Sequence, residues 1–239
     1  GTCFTVVAEN ITLDCMGYSI NYSSSGAAGN GIRIPGANST KVRNCVILEG
    51  RATGSLHPAI SSIDSYHHYY FNLTIITRSA SSAGISLDGV INFTFDKVNI
   101  TTLNSDAYGV YSFAGTSNLL LRNLTIRTLG SPSYGIFSTG SSSLLSVLKS
   151  RIETSGFAAR GILIDWGQRF NLTDSLIITR TTVAPGLEMI ALAHYAYVAR
   201  NTFYTSGSGG INLHQQVDYG HFENNTIYNN GGSGLDLYD

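Results

Sequence analysis

Asn118-Leu-Leu-Leu-Arg-Asn-Leu-Thr-Ile126, followed by a Ser/Thr/Gly-rich turn and Tyr134-Gly-Ile136, decides the fold, because most of the chain repeats it. With Ile126 as an anchor, equivalents fall at Ile47, Ile75, Ile100, Ile152, Ile177, Phe203 and Ile227, in steps of 24 to 28 residues. Five residues before each anchor stands another apolar residue: Val42, Tyr70, Phe95, Leu121, Val147, Leu172, Val198 and Phe222. A second phrase, a small residue and then an apolar one, recurs from Gly31-Ile32 and Ala59-Ile60 through Gly109-Val110 and Gly135-Ile136 to Gly234-Leu235. Two phrases locked to one period mark a repeat architecture, in which each unit buries its apolar side only by stacking on its neighbours.

Each copy splits into three short extended pieces, as in Gly161 to Ile164, Phe170 to Leu172 and Leu176 to Ile178. Alternate side chains along such pieces face opposite ways, and no helical spacing intervenes. The pattern predicts an all-β parallel β-helix of about nine rungs of about 25 residues, stacked about 4.8 Å apart. It spans 1–239, with 1–30 as an opening coil and 31–239 as regular rungs. The chain begins at Gly1 and its last copy stops inside a rung, so it reads as a fragment or repeat unit of a longer protein. Glu49 to Pro58 lengthens one turn, an outgrowth expected on one face of the solenoid. The column three before the anchors holds Asn44, Asn72, Asn123 and Asn224, with Lys97, Lys149, Asp174 and Arg200. This column predicts a partly buried corner ladder that satisfies backbone groups left open by the bend.

Composition narrows the function. Only 12% of residues are charged and the formal net charge is -1, which disfavours nucleic acid and polybasic membrane contacts. No apolar run approaches the roughly 18 residues of a spanning helix, so no membrane insertion is expected.

The nonapeptides Asn118 to Ile126 and Ser39-Thr-Lys-Val-Arg-Asn-Cys-Val-Ile47 resemble the repeats of right-handed parallel β-helices of the pectate-lyase-like type. The phrase Asn10-Ile-Thr-Leu-Asp-Cys15-Met-Gly17 is similar to the first coil of archaeal and bacterial cell-surface proteins built from this repeat. The resemblance covers essentially the whole chain and implies the fold. It leaves function open, since the same coil carries lyases, hydrolases, epimerases, phage spikes and non-catalytic surface modules.

Polysaccharide enzymes on this fold would be expected to stack carboxylates in one outward column. Two residues after each small residue come Arg33, Ser61, Ser86, Tyr111, Phe137, Leu163, Glu188, Asn212 and Asp236, with no two acidic neighbours. Four after, Asp88 and Asp165 lie three rungs apart, beyond the roughly 10 Å that an inverting carboxyl pair tolerates. Asp165, Glu188 and Arg169 stay as catalytic candidates, with Trp166 as a residue that stacks on a sugar or else covers a coil corner. His67 and His68 point to opposite faces and do not ligate one metal. No metal site and no cofactor is expected.

Cys3 and Cys15 flank one coil and form the favoured disulfide; Cys15 with Cys45, on consecutive rungs, is the alternative. Nine Asn-x-Ser/Thr sequons occur. Asn72, Asn123 and Asn224 fall in the predicted ladder, whereas Asn21, Asn38, Asn92, Asn99 and Asn171 lie outside it and are the expected glycan acceptors.

These features point to an extracellular structural or adhesive module of a surface layer, sheath or filament, self-associating through coil ends or outer faces. The alternatives are a polysaccharide lyase or glycoside hydrolase, and a carbohydrate-binding module without turnover. Surface glycans are further expected partners.

Overall fold

The computed structural model describes residues 1–239 except 26, 51–56, 141–142, 168, 192–193, 208, 215–216 and 239. The chain is a right-handed parallel β-helix with three faces. Among the described residues ten strands form the first face, from Phe4–Thr5 and Ile32–Pro35 through Val110–Phe113 and Ile162–Asp165 to Leu235–Tyr238. A second sheet of fifteen strands wraps the other two faces. Its strands either break at the corner, as at Ser117–Arg122 and Thr125–Thr128, or run through it, as in Lys41–Glu49, Tyr66–Thr77 and Ile91–Thr102.

The register reproduces the columns expected from the repeat. Ile47 pairs with Ile75, Ile126 with Ile100 and Ile152, Ile177 with Phe203, and Phe203 with Ile227. Ile20 and Leu13 extend the two apolar columns into the opening coil, opposite Ile47 and Val42. Most of these side chains are fully buried in one continuous core. Neighbour-on-neighbour burial along the coil, at about 25 cal/mol per Å² of apolar surface, is what holds the rungs together.

The small residue before each first-face strand has a steric reason. A Cβ on Gly109 would stand 2.4 Å from Ile126 Cγ2 and 2.5 Å from the Gly135 carbonyl oxygen. The turn into the first face presses the backbone against the anchor of its own coil and against the next rung. Two residues after four of the anchors a buried threonine braces the same turn: Thr77, Thr102, Thr128 and Thr154 Oγ1 donate at 2.9–3.1 Å to the carbonyl five residues on. In the rung with the lengthened turn Glu49 takes that place, and its buried carboxylate accepts from Ser79 N at 3.0 Å. The rest of that turn, 51–56, lies outside the described residues.

The corner between the second and third faces corrects one expectation. All eight members of the Asn44 to Asn224 column adopt φ of 49° to 57°, which turns their side chains outward; all but Asn44 are exposed. Asn72 Nδ2 donates to Asn44 Oδ1 at 2.9 Å and Asn123 Nδ2 to Asp96 Oδ1 at 2.7 Å, so this ladder bonds to side chains. The backbone is satisfied one residue later, where the chain points inward again. Ser150, Ser175, Asn201 and Asn225 form that inner ladder: Leu124 N, Ser150 N, Ser175 N and Asn201 N donate in turn to their side-chain oxygens at 2.9–3.1 Å.

Cys45 occupies the same inward position, and it decides the disulfide. The bond joins Cys15 to Cys45, not to Cys3, with Cα atoms 4.9 Å apart. Strand Thr12–Asp14 pairs with 41–43, which brings Cys15 round the corner beside Cys45. Cys3 instead starts the first face, where it is exposed and outside any disulfide.

Candidate functional site

The outward side of the first face gathers the chemistry. Strand alternation sends Val110 and its equivalents inward and the next residue outward, so Tyr111 aligns with Ser86 and Phe137, and Glu188 with Leu163 and Asn212. Residues just before the small residue, Tyr108, Tyr134 and Arg160, flank this column.

At its centre lies an aromatic platform. Tyr111 stacks on Phe113 at 4.9 Å and on Phe137 at 5.3 Å, and Tyr108 stacks on Tyr134 at 5.4 Å. All five rings are half-buried, each presenting part of its surface to solvent. Burial, then neighbouring Tyr134 and Asp106, raises the Tyr108 phenol pKa; burial, then Asp88, raises that of Tyr111.

Toward the N-terminal end the platform borders a groove of about 620 Å³ with Ser61 and Ser86 on its floor and Arg33, Asp88 and Asp106 on its walls. Burial first, and the charge of Asp64 second, push the Asp88 carboxyl above its ordinary pKa. Asp64 sits at the corner that follows the strand, at φ 47°, in a position where Gly36, Gly89 and Gly140 stand on other rungs. Its Oδ1 lies where a Cβ on Gly89 would meet it at 2.6 Å, so the carboxylate leans across the rung toward Asp88. Column counting missed this pair because one member is on the strand and the other just past it. An aspartate in a glycine position was the available signal.

Toward the C-terminal end Glu188 is 6% exposed and is held by the Arg160 guanidinium, with His214 Nε2 3.1 Å from its other oxygen. Arg160 also lies over the Tyr134 ring, 5.3 Å from its centroid, and donates to Tyr134 Oη at 3.1 Å. Asp165 faces the same way one rung back and two residues along, which places its Cα about 8 Å from that of Glu188. It accepts from Thr139 Oγ1 at 3.4 Å. Trp166 stands at the corner, 50% exposed with φ 64°, and Arg169 lies beyond it over the Tyr195 ring at 5.9 Å. The four sequence candidates therefore divide between the first face and the next corner, and the Glu188 carboxylate is already engaged.

Of the expected glycan acceptors, Asn21 and Asn99 are exposed on outward strand positions. The Nδ2 atoms of Asn38, Asn92 and Asn171 are engaged by Glu9, His67 and Ser146. Asn92 belongs to a second corner ladder with Asn118, whose Nδ2 donates to Asn92 Oδ1 at 3.0 Å. Asn72, Asn123 and Asn224, expected to be closed to a glycan, are exposed. His67 is exposed and His68 buried, on opposite sides of their strand.

A family described as periplasmic copper-binding protein (NosD) matches residues 71–239. None of the curated proteins matches the chain in sequence. Among solved structures, the Streptococcus pneumoniae surface protein and adhesin PfbA is similar at 14% identity and a TM-score of 0.71, over 100% of this chain and 68% of that one. A second PfbA structure is similar at 16% identity and a TM-score of 0.59, over 87% of this chain and 59% of the other. At such identity the likeness bears on the coil alone. Among the described residues no three His, Cys, Asp or Glu side chains converge as metal ligands, and Cys15 and Cys45 are joined to each other.

Proposed function

The chain belongs to the NosD family, and from that premise we propose that it is an exported β-helix module that adheres to a glycan chain laid along its first face. The aromatic platform of Tyr108, Tyr111, Phe113, Tyr134 and Phe137 carries this reading. Rings spread over consecutive rungs offer flat apolar surface to successive sugars at low conformational cost, and the polar groups around them bond hydroxyls. The family description and the Cys15–Cys45 bond support work outside the cytoplasm, where disulfides persist. Placement at a cell surface is the finer part of the proposal; PfbA, a surface adhesin, displays a similar coil. Self-association through coil ends or outer faces belongs to the same reading, and a single monomeric species at every concentration in sedimentation would count against it.

The platform is tested with the Tyr111→Ala, Phe137→Ala double variant on a polysaccharide array. Retention by at least one glycan that drops about tenfold or more in the variant is expected. Equal retention of both proteins, or none of either, sinks the reading. Turnover is a second reading, favoured by one observation: Asp88 holds its proton more tightly than an ordinary aspartate and stands beside Asp64, as an acid and base pair would. Release of new reducing ends or unsaturated products, lost in Asp88→Asn, separates it from adhesion.

A further inference from the structure

We propose that the groove beside the platform selects a cationic glycan, one that carries free amino sugars. This rests on the glycan-binding reading above and names the ligand for it. Asp88 and Asp106 line the groove and Asp64 stands beside Asp88, and none of the three takes part in an ion pair among the described residues. Arg33, on the groove's first rung, is exposed and neutralises none of them. The like charges of Asp64 and Asp88, held side by side at one edge of the groove, are relieved by a cation placed between them, and Asp106 adds a third negative charge at the opposite edge.

A second feature points to a ligand with hydroxyls as well as charge. Ser61 lies on the groove floor, 8% exposed, and its hydroxyl has no hydrogen-bond partner within the described protein. A third is the wall of Tyr108 and Tyr111, whose ring faces attract cations and pack on the apolar side of a pyranose. A protonated hexosamine answers all three at once: an ammonium for the carboxylates, a hydroxyl for Ser61, and a ring face for the tyrosines. A uronate would set its carboxylate against the Asp64 and Asp88 carboxylates, and an N-acetylated sugar would leave them without a counter-charge.

The test is calorimetric titration of the full chain with three hexamers, of glucosamine, N-acetylglucosamine and galacturonate, at a pH where the free amine is protonated, at low and at high salt. The glucosamine oligomer is expected to bind about tenfold or more tightly than the acetylated one, with the margin shrinking at high salt. In the Asp64→Asn, Asp88→Asn double variant the two are expected to bind alike; Asp106→Asn, on a separate turn, narrows the margin by a smaller factor and guards against misfolding of the double variant. Equal binding of both oligomers to the native chain, or a preference for galacturonate, overturns this inference and leaves glycan adhesion standing. Binding of none of them at any salt overturns this inference, and a blank polysaccharide array would then remove the adhesion reading too.

Discussion

At Asn201 one side chain serves three backbone or side-chain partners. Oδ1 accepts from Ser175 N at 2.9 Å, and Nδ2 donates to the Leu172 carbonyl at 2.8 Å and to Asn225 Oδ1 at 3.0 Å, all at 1% exposure. Asn201→Ala leaves the buried Ser175 N–H without its partner, at about 1–3 kcal/mol, and removes a second donor from the Leu172 carbonyl and from Asn225 Oδ1. A loss of about 2–4 kcal/mol in urea unfolding is expected, whereas Asn224→Ala, at the exposed outer position of the next rung, is expected to cost little. The sequence displayed asparagine at the outer position, where repetition was most visible, but the inner position mixes Cys, Leu, Val, Ser and Asn and so hid its role. What distinguishes the two is a single positive φ, which spacing does not reveal. His68 gives a residue-scale pH effect. Its ring is 2% exposed, Nε2 lies 2.9 Å from the Ala37 carbonyl, Nδ1 lies 3.3 Å from Tyr70 Oη, and burial drives its pKa down to about 4. The neutral ring is the folded form, so its contribution is complete above the unfolded value near 6.5 and is lost as pH falls toward about 4. That amounts to about 3 kcal/mol; urea titrations across this window are expected to show the slope, and His68→Gln to flatten it.

Among elements, the tightest constraint lies in the turn into the first face. Gly109→Ala drives a methyl against Ile126 and the Gly135 carbonyl at distances no relaxed Cβ adopts, and overpacking of this kind costs about 1–3 kcal/mol. A fall in melting temperature with unchanged strand content is the expected outcome; Gly115→Ala, with open space around it, has only its positive φ of 81° to contend with and serves as the comparison. The opening coil is tied down differently. The Cys15–Cys45 bond closes a loop with a sequence separation of 30 and holds that coil to the next rung, a constraint worth about 2–4 kcal/mol. Cys45→Ser is expected to release early rungs to proteolysis, and Cys3→Ser to leave them protected. The stacking register of the regular rungs was legible, because a period of about 25 residues with two fixed phrases admits one stacking, whereas the opening coil's Leu13 and Ile20 and the strands that run through the corner were not read from it. The cysteine pairing was not, since spacing allowed both options and only the corner geometry shows which sulfurs meet. The Asp64–Asp88 pair escaped for the same reason: it forms across a corner, and columns describe strands.

For the whole molecule, stability follows from the fact that each rung touches only the rungs before and after it. Ile152 is fully buried between Ile126 and Ile177, while Ile227, paired with Phe203, is half-buried. In a linear array a substitution is felt by the two interfaces that flank it, so its cost depends on place as much as on chemistry. Ile152→Ala is expected to cost about 2–5 kcal/mol and Ile227→Ala markedly less, although both occupy the same column of the repeat. Hydrogen exchange supplies the second readout: amides of Arg151–Thr154 are expected to be the slower and those of Thr226–Asn229 the faster. Equal costs and equal protection would mean that the coil unfolds as one unit whose rungs are not separable. The first-face strands that carry the aromatic platform, Val110–Phe113 and Ile136–Ser138, have a packed strand on either side, so a graded result would put their amides among the slowly exchanging ones.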